Sequence, residues 1–345
     1  MSARHTALDR AAGRRPDDEA TAVLVRAESP RGRWSAARGV ADPATGEPVT
    51  EHHRFRIGGL TKTFVATVVL SLAEEGLLAL DEPAARHLPG TLPPEVTVRH
   101  LLDHTSGLAD DSDVRHHDTP WFLRHRRDTF TPAELIALAL REPLAFRPGT
   151  GQQITRANYV LAGMLIEAVT GRPYAREIED RILVPLSLTA TSLPGTDPAL
   201  PGPCVRGHEQ GTDVTEQSPT LHGAAGEMIS SVPDLDRFLV ALFGGELLPA
   251  KSLAPMFRVP DVPYARGGRA FCGAGLDSLR LPGGATVWGM AGVVHGYVCG
   301  MGAHRDPARR VVYLLAPRTR GTTRLPATAE ALLRAALGTT GPRTR

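Results

Sequence analysis

Aromatic residues are scarce in this chain: Phe, Tyr and Trp make up 5% of its 345 residues. Stacking platforms for nucleobases are therefore not expected. Charge of one sign is also lacking, since 39 Lys and Arg face 37 Asp and Glu, a balance of +2. That argues against nucleic-acid binding and against a polybasic membrane anchor. Cysteine is rare. Cys204, Cys272 and Cys299 are widely spaced and odd in number, which gives neither a metal-ligand pattern nor a disulfide framework. No metal and no other cofactor is expected. Long apolar runs are missing as well, the most apolar stretch, 64–72, being far too short to span a bilayer. The first twenty residues are charged throughout and have no apolar core of a signal peptide. A soluble, cytoplasmic protein with a small-molecule partner is the expectation. Its oligomeric state is left open.

Hydrophobic residues make up 42% of the chain, enough for one large core or two lobes sharing a cleft. Residues 1–20 read as disordered, and so does the tail at 339–345. Residues 22–27 (AVLVRA) and 34–40 read as paired strands around the Ser29-Pro30-Arg31-Gly32 turn. From Gly59 to about Glu75 the apolar residues Phe64, Val65, Val68, Val69 and Leu72 recur at helical spacing. Thr97, Thr131 and Ser231 are placed to cap further helices, Thr131-Pro132-Ala133-Glu134 forming a capping box with proline at the first helical position. The apolar period of 158–170 stops at Gly171, a C-cap signal. Stretches 109–128 and 196–224 read as loops. Strand character returns at 286–289, 297–303 and 311–316, and a last helix covers about 328–336. Strands at both ends with helices between them predict an α/β fold. One antiparallel sheet is built from 21–58 and 265–338, flanked by terminal helices, and 59–264 is inserted as a mainly helical lobe. Together these form a single domain over 21–338, with the cleft between its lobes.

Several ordered blocks carry a resemblance. FRIGGLTKTFVA at 55–66, GLLALDEPAARHLPG at 76–90, VTVRHLLDHTSGL at 96–108, FRPGTGQQITRANYVLAGMLIEAVTGRPY at 146–174, PLSLTAT at 185–191, AAGEMISSVPDLDRFL at 224–239 and GMAGVVHGY at 289–297 follow one another in sequence. In this order they resemble the serine β-lactamase and penicillin-binding-protein family, in particular its class C β-lactamase, D-alanyl-D-alanine carboxypeptidase and esterase branch. The likeness runs over roughly residues 20–337 and implies the β-lactamase-like (DD-peptidase) fold. Its three active-site motifs are changed here. The family's S-x-x-K reads Gly59-Leu60-Thr61-Lys62, its Y-x-N reads Ile154-Thr155-Arg156, and its H-x-G or K-T-G reads Met290-Ala291-Gly292.

Acyl transfer through a covalent intermediate needs an oxygen or sulfur nucleophile beside a base. Gly59 offers none. Thr61 lies about 200° around a helix from it, and Thr63 is displaced a turn along the axis. The resemblance also implies an oxyanion hole made of backbone N–H groups, here those of Gly59 and Val293, which survive side-chain replacement. Lys62, three residues from Gly59, faces the same cleft. With Arg156 it makes a site with two cations, two N–H donors and no nucleophile, suited to an anionic or enolisable small molecule. Ile154, Met290, His295, Tyr297, and the rim residues Trp121 and His116 complete the candidate binding set. His104, in Asp103-His104-Thr105-Ser106-Gly107, reads as a loop organiser, and Glu227 as a surface residue.

Two functions follow from this set. The first is an enzyme that is not a classical serine β-lactamase or DD-peptidase. It would be repurposed for non-covalent acid–base or oxyanion chemistry such as cyclisation, isomerisation or elimination, with Lys62 as the base. The Ala-, Arg-, Gly- and Pro-rich composition fits a bacterial genome of high GC content, and specialised-metabolite biosynthesis is the setting family analogy offers. The second is a pseudo-hydrolase that binds a small molecule or a partner protein without catalysis. Residual hydrolysis by an activated water is the third and weakest reading.

Overall fold

A strand that is apolar along its whole length has to be covered on both faces. Residues Ala20–Glu28 (β1) and Arg310–Pro317 (β7, RVVYLLAP) come near to this, with apolar runs at 22–25 and 311–317, and they pair at the centre of the sheet. The computed structural model describes residues 3–13, 20–30, 32–109, 118–281, 284–318 and 327–338. Around the central pair lie Trp34–Asp42 (β2) and Glu47–Pro48 (β3) on one side. Asp277–Arg280 (β4), Thr286–Val294 (β5) and Tyr297–Ala303 (β6) lie on the other. The seven strands run in the order β3-β2-β1-β7-β6-β5-β4, every pairing antiparallel. Both ends of the chain thus build one sheet, as the pattern predicts.

The alternation of side chains across each strand sorts the two cores. Leu24, Val312, Leu314, Cys299 and Met301 face the inserted helices and join the main core. Val23, Val25, Val311, Tyr313 and Leu315 face the other way, where Ala3–Gly13 (α1) and Ala327–Leu337 (α6) cover them with Leu8, Ala11, Ala12, Ala329 and Leu332. The expectation of disorder across 1–20 is thereby corrected for residues 3–13. One apolar stripe on a short charged segment suffices for a helix once a sheet face is there to receive it.

On the inner face, Thr61–Glu74 (α2) is mostly apolar and buried over most of its length. Its Phe64 stacks on Phe238 of Val232–Phe243 (α5), ring centroids 3.7 Å apart. The capping signals act as read. Thr131 closes a capping box with Glu134 at the head of Pro132–Arg141 (α3), and Ser231 accepts from Asp234 N at the head of α5. Arg156–Thr170 (α4) ends at Gly171 with φ 70°, the left-handed cap. The loop expected over 109–128 is corrected where it is described, since Thr119–His125 is helical, capped by Asp118 with proline following. Strand β4 is a second departure. Its four residues carry no alternation long enough to read, and it forms because the edge of β5 receives it. No helix among the described residues is long and apolar enough to cross a membrane.

Sheet and inserted lobe are joined by charge as well as by apolar packing. Asp236 of α5, 5% exposed, accepts from Arg310 of β7 at 2.5 and 3.2 Å and pairs with Arg26 of β1 at 3.3 Å. Removing one member of a buried network leaves the others charged and unpaired. Asp236→Ala is expected to lower the free energy of unfolding by about 3 kcal/mol, read by urea denaturation. A change within 0.5 kcal/mol, the size of an ordinary surface substitution, would show that Glu28 of β1, 3.6 Å from Arg310, replaces it.

Candidate functional site

The site is built where the start of α2 meets the open edge of β5. Strand β4 pairs with residues 286–289 of β5, and residues 290–294 pair with β6 alone among the described strands. Residues Gly58–Leu60 form a 3-10 turn that runs into α2 and lies against that edge. The approach is backbone to backbone. A β-carbon on Gly292 would sit 1.9 Å from the Ile57 carbonyl oxygen and 3.0 Å from Cys299 Sγ. Gly58 has φ +48°, and a β-carbon there would come within 3.1 Å of Val293 N. Glycine at 58 and 292 is therefore a condition of this contact.

A β-carbon on Gly59 would lie 2.8 Å from the carbonyl oxygen of Ala291 and 3.2 Å from Lys62 Nζ. Gly59, Lys62 and Ala291 of β5 thus lie close together, and Val293, two residues further along the strand, is 48% exposed. The hydroxyls nearby are committed elsewhere. Thr61 is buried and accepts from Met228 N at 3.2 Å, and Thr63 is buried and donates to Gly275 O at 2.7 Å. His104, with φ 62°, is buried against Asn158 Nδ2 at 3.0 Å. Burial, reinforced by the charge of Lys62, holds its pKa down to about 3, so its ring is neutral.

The other candidates divide. Met290 is half-buried and packs on the main core, and Ile154 is half-buried just ahead of α4. Arg156 opens α4 and donates to Leu221 O at 2.6 Å, which ties it to the apolar rim cluster of Phe122, Val214 and Leu221. Trp121 packs on that cluster and stacks on His125 at 4.6 Å. His116 lies outside the described residues. His295 and Tyr297 are corrected as ligand contacts. His295 is 1% exposed, stacked on Phe122 at 3.6 Å with its Nδ1 3.1 Å from Glu209 Oε2. Tyr297 is fully buried and donates to Val205 O at 2.8 Å. The Gly296 turn after β5 directs both rings inward rather than toward the edge. Glu227 is corrected too. It is 5% exposed, bonded to the Tyr174 hydroxyl, and burial pushes its pKa up to about 7.

Two residues near the site fall outside the three motifs themselves. Gln152, fully buried, donates to the carbonyls of Asp103 and Cys272, both at 2.8 Å, and accepts from Phe271 N and Cys272 N. One amide therefore clamps the segment leading into β4 against the HTSG loop. That segment ends in Asp277, whose carboxyl is bonded by the Cys272 thiol and lies within the field of Lys62. Burial raises the pKa of Asp277, while the thiol and Lys62 lower it, with burial the stronger. Gln152 stands in a recognisable proline-glycine block, but Asp277 is a lone acid in an unremarkable stretch. Its position is known only from the fold.

A profile of the Beta-lactamase family matches residues 8–337. The crystal structure of a D-stereospecific amidohydrolase from a Streptomyces species is 34% identical, superposes with a TM-score of 0.83, and covers 96% of this chain and 98% of its own. The D-amino acid amidase of Ochrobactrum anthropi SV3, solved with L-phenylalanine amide, is 27% identical with a TM-score of 0.82 and 97% coverage of each chain. Esterase EstB of Burkholderia gladioli is 33% identical over 201 residues, 51% of this chain and 48% of its own length. The chain spans about half the length of the curated relatives it matches. Motif blocks, sheet order and the profile match agree from the first strand to the last helix: the chain belongs to the Beta-lactamase family.

Proposed function

We propose that this protein binds a small anionic or enolisable molecule at the Gly59–Lys62 edge and acts on it without a covalent acyl-enzyme. One observation carries the reading: the place a side chain would occupy at position 59 is already bounded by Ala291 O at 2.8 Å and Lys62 Nζ at 3.2 Å. A nucleophile-bearing side chain there would crowd the strand, and the nearest alternative hydroxyls, Thr61 and Thr63, are buried and bonded. What the edge does offer is positive potential, from the ammonium of Lys62 and the backbone N–H groups of Gly59 and Val293. Such donors stabilise negative charge that develops on a bound carbonyl or enolate. Proton transfer at Lys62 Nζ then supplies acid–base chemistry of the cyclisation, isomerisation or elimination type. By their names, the related amidohydrolase is D-stereospecific and the related amidase takes D-amino acid amides, and an amide, ester or carboxylate of that size is the substrate class we assign. A role in specialised-metabolite tailoring is the setting we infer for it.

Three outcomes test this. After incubation with benzylpenicillin or a fluorophosphonate, intact-mass spectrometry should show the unmodified chain. A stoichiometric adduct within residues 59–63 would refute the non-covalent reading. Gly59→Ser should turn over nitrocefin far below about 1 per second, because a catalytic set acts as a unit and residues 154 and 290 remain Ile and Met. The same variant should unfold more readily, by about 1–3 kcal/mol, the usual cost of overpacking. Lys62→Met should weaken binding of 3-phenylpropanoate roughly ten- to a hundred-fold in calorimetry, the range of a lost charge-assisted hydrogen bond, with an unchanged melting temperature. Unchanged affinity would reduce Lys62 to a packing residue.

A further inference from the structure

A cavity of about 200 Å³ opens beside the site, on the outer side of β5. Its walls are mostly apolar, from Phe271, Leu279, Val287, Met290, Tyr313 and Leu333. Glycines 289, 300 and 302 also line it, and the place of a β-carbon on Gly300 is taken by the Tyr313 ring, 2.5 Å from its hydroxyl. Among its lining residues Asp277 is the one charged side chain. Ala291 also lines it, and the carbonyl of that residue lies 2.8 Å from the β-carbon position of Gly59. The cavity and the Gly59–Lys62 edge therefore meet at a single residue of β5.

We propose that Asp277 and this cavity form a specificity site for the ammonium group of an amine-bearing, aryl or branched-alkyl substrate. The ammonium would pair with the carboxylate and the apolar group would enter the cavity. Size supports it: an apolar cavity of about 150 Å³ accepts benzene, so this one takes a phenyl ring. Charge supports it as well. A carboxylate drawn out of water is costly unless paired, and the raised pKa of Asp277 records that cost despite help from Cys272 and Lys62. An ammonium at hydrogen-bond distance restores the lost solvation. Rigidity is provided by the Gln152 clamp and by Thr63, which donates to Gly275 O two residues before Asp277. The ligand would then be bipolar, its carbonyl or carboxylate end at Lys62 and its ammonium at Asp277. That orientation rests on the proposed function, whereas the ammonium preference does not.

The test compares D-phenylalanine amide with 3-phenylpropanamide, which differs in lacking the amine, by calorimetry on the full chain. The wild-type protein is expected to bind the amine roughly ten- to a hundred-fold more tightly, the range of one charge-assisted hydrogen bond. Asp277→Asn, which keeps an oxygen for the Cys272 thiol, should erase that ratio. Lys62→Met should weaken both amides and still leave the amine the tighter ligand. Equal affinities in the wild type, or no binding of the amine at all, overturn the proposal without any variant. A ratio that persists in Asp277→Asn overturns it too. If Lys62→Met changes nothing while Asp277→Asn erases the ratio, the Lys62 reading falls and the ammonium site stands.

Discussion

The contact between residues 57–59 and residues 291–293 is the constraint on which the site depends. Two backbones meet there with no side chain between them, which requires glycine at 58 and at 292. The contact fixes how close the start of α2 lies to β5, and so whether a side chain at 59 has room. It also decides which backbone groups line the open edge. β4 pairs with β5 only as far as residue 289, and beyond it β5 meets the start of α2. Fold and site are thus one problem in this molecule: moving β5 by an ångström would change both.

A second clamp acts from the far side. Gln152 binds the HTSG loop to residues 271 and 272, and Thr63 holds Gly275 against α2. Gly275 has φ +79°, and a β-carbon there would lie 2.5 Å from Ala66 Cβ. The segment cannot lift away without breaking its bonds to α2 and to Gln152. Its last residue, Asp277, is consequently presented to Lys62 and to the outer cavity from a fixed frame. Precise presentation of a few polar groups on rigid elements is what binding sites require. The buried charges elsewhere serve another end, since Asp236 with Arg26 and Arg310 ties the helical lobe to the sheet on which this frame rests.

Much of the architecture is legible in the chain. Apolar periods of two and of 3.6 separate the strands at both ends from the helices between them, and Thr131, Ser231 and Gly171 mark helix ends through local bonding. The motif blocks single out Gly59 and Lys62 at the start of α2 and residues 290–293 of β5. Errors arose where the outcome depends on a distant surface. α1 folds because the outer sheet face accepts Leu8, Ala11 and Ala12, and nothing local to residues 3–13 specifies it. His295 and Tyr297 stand two and four residues from Val293, yet the turn at Gly296 sends their rings into the interior. Glu227 lies in a segment drawn beneath Gly58, and its partner Tyr174 is distant in sequence.

The sequence by itself determined the order of elements, the glycines that permit the central contact, and the identity of residues 59, 62, 154, 156 and 290. These follow from spacing, caps and side-chain chemistry, all of them local quantities. Only the tertiary structure decided that a side chain at 59 would press on Ala291 O, that Thr61 and Thr63 are bonded away, and that Asp277 lies within the field of Lys62 and lines an apolar cavity. The physical reason is sequence separation. Residues 59, 62 and 291 meet through packing of a sheet edge against a helix start, and residues 103, 152 and 272 meet through a buried amide. Non-local packing and burial fix such distances, and no local pattern encodes them.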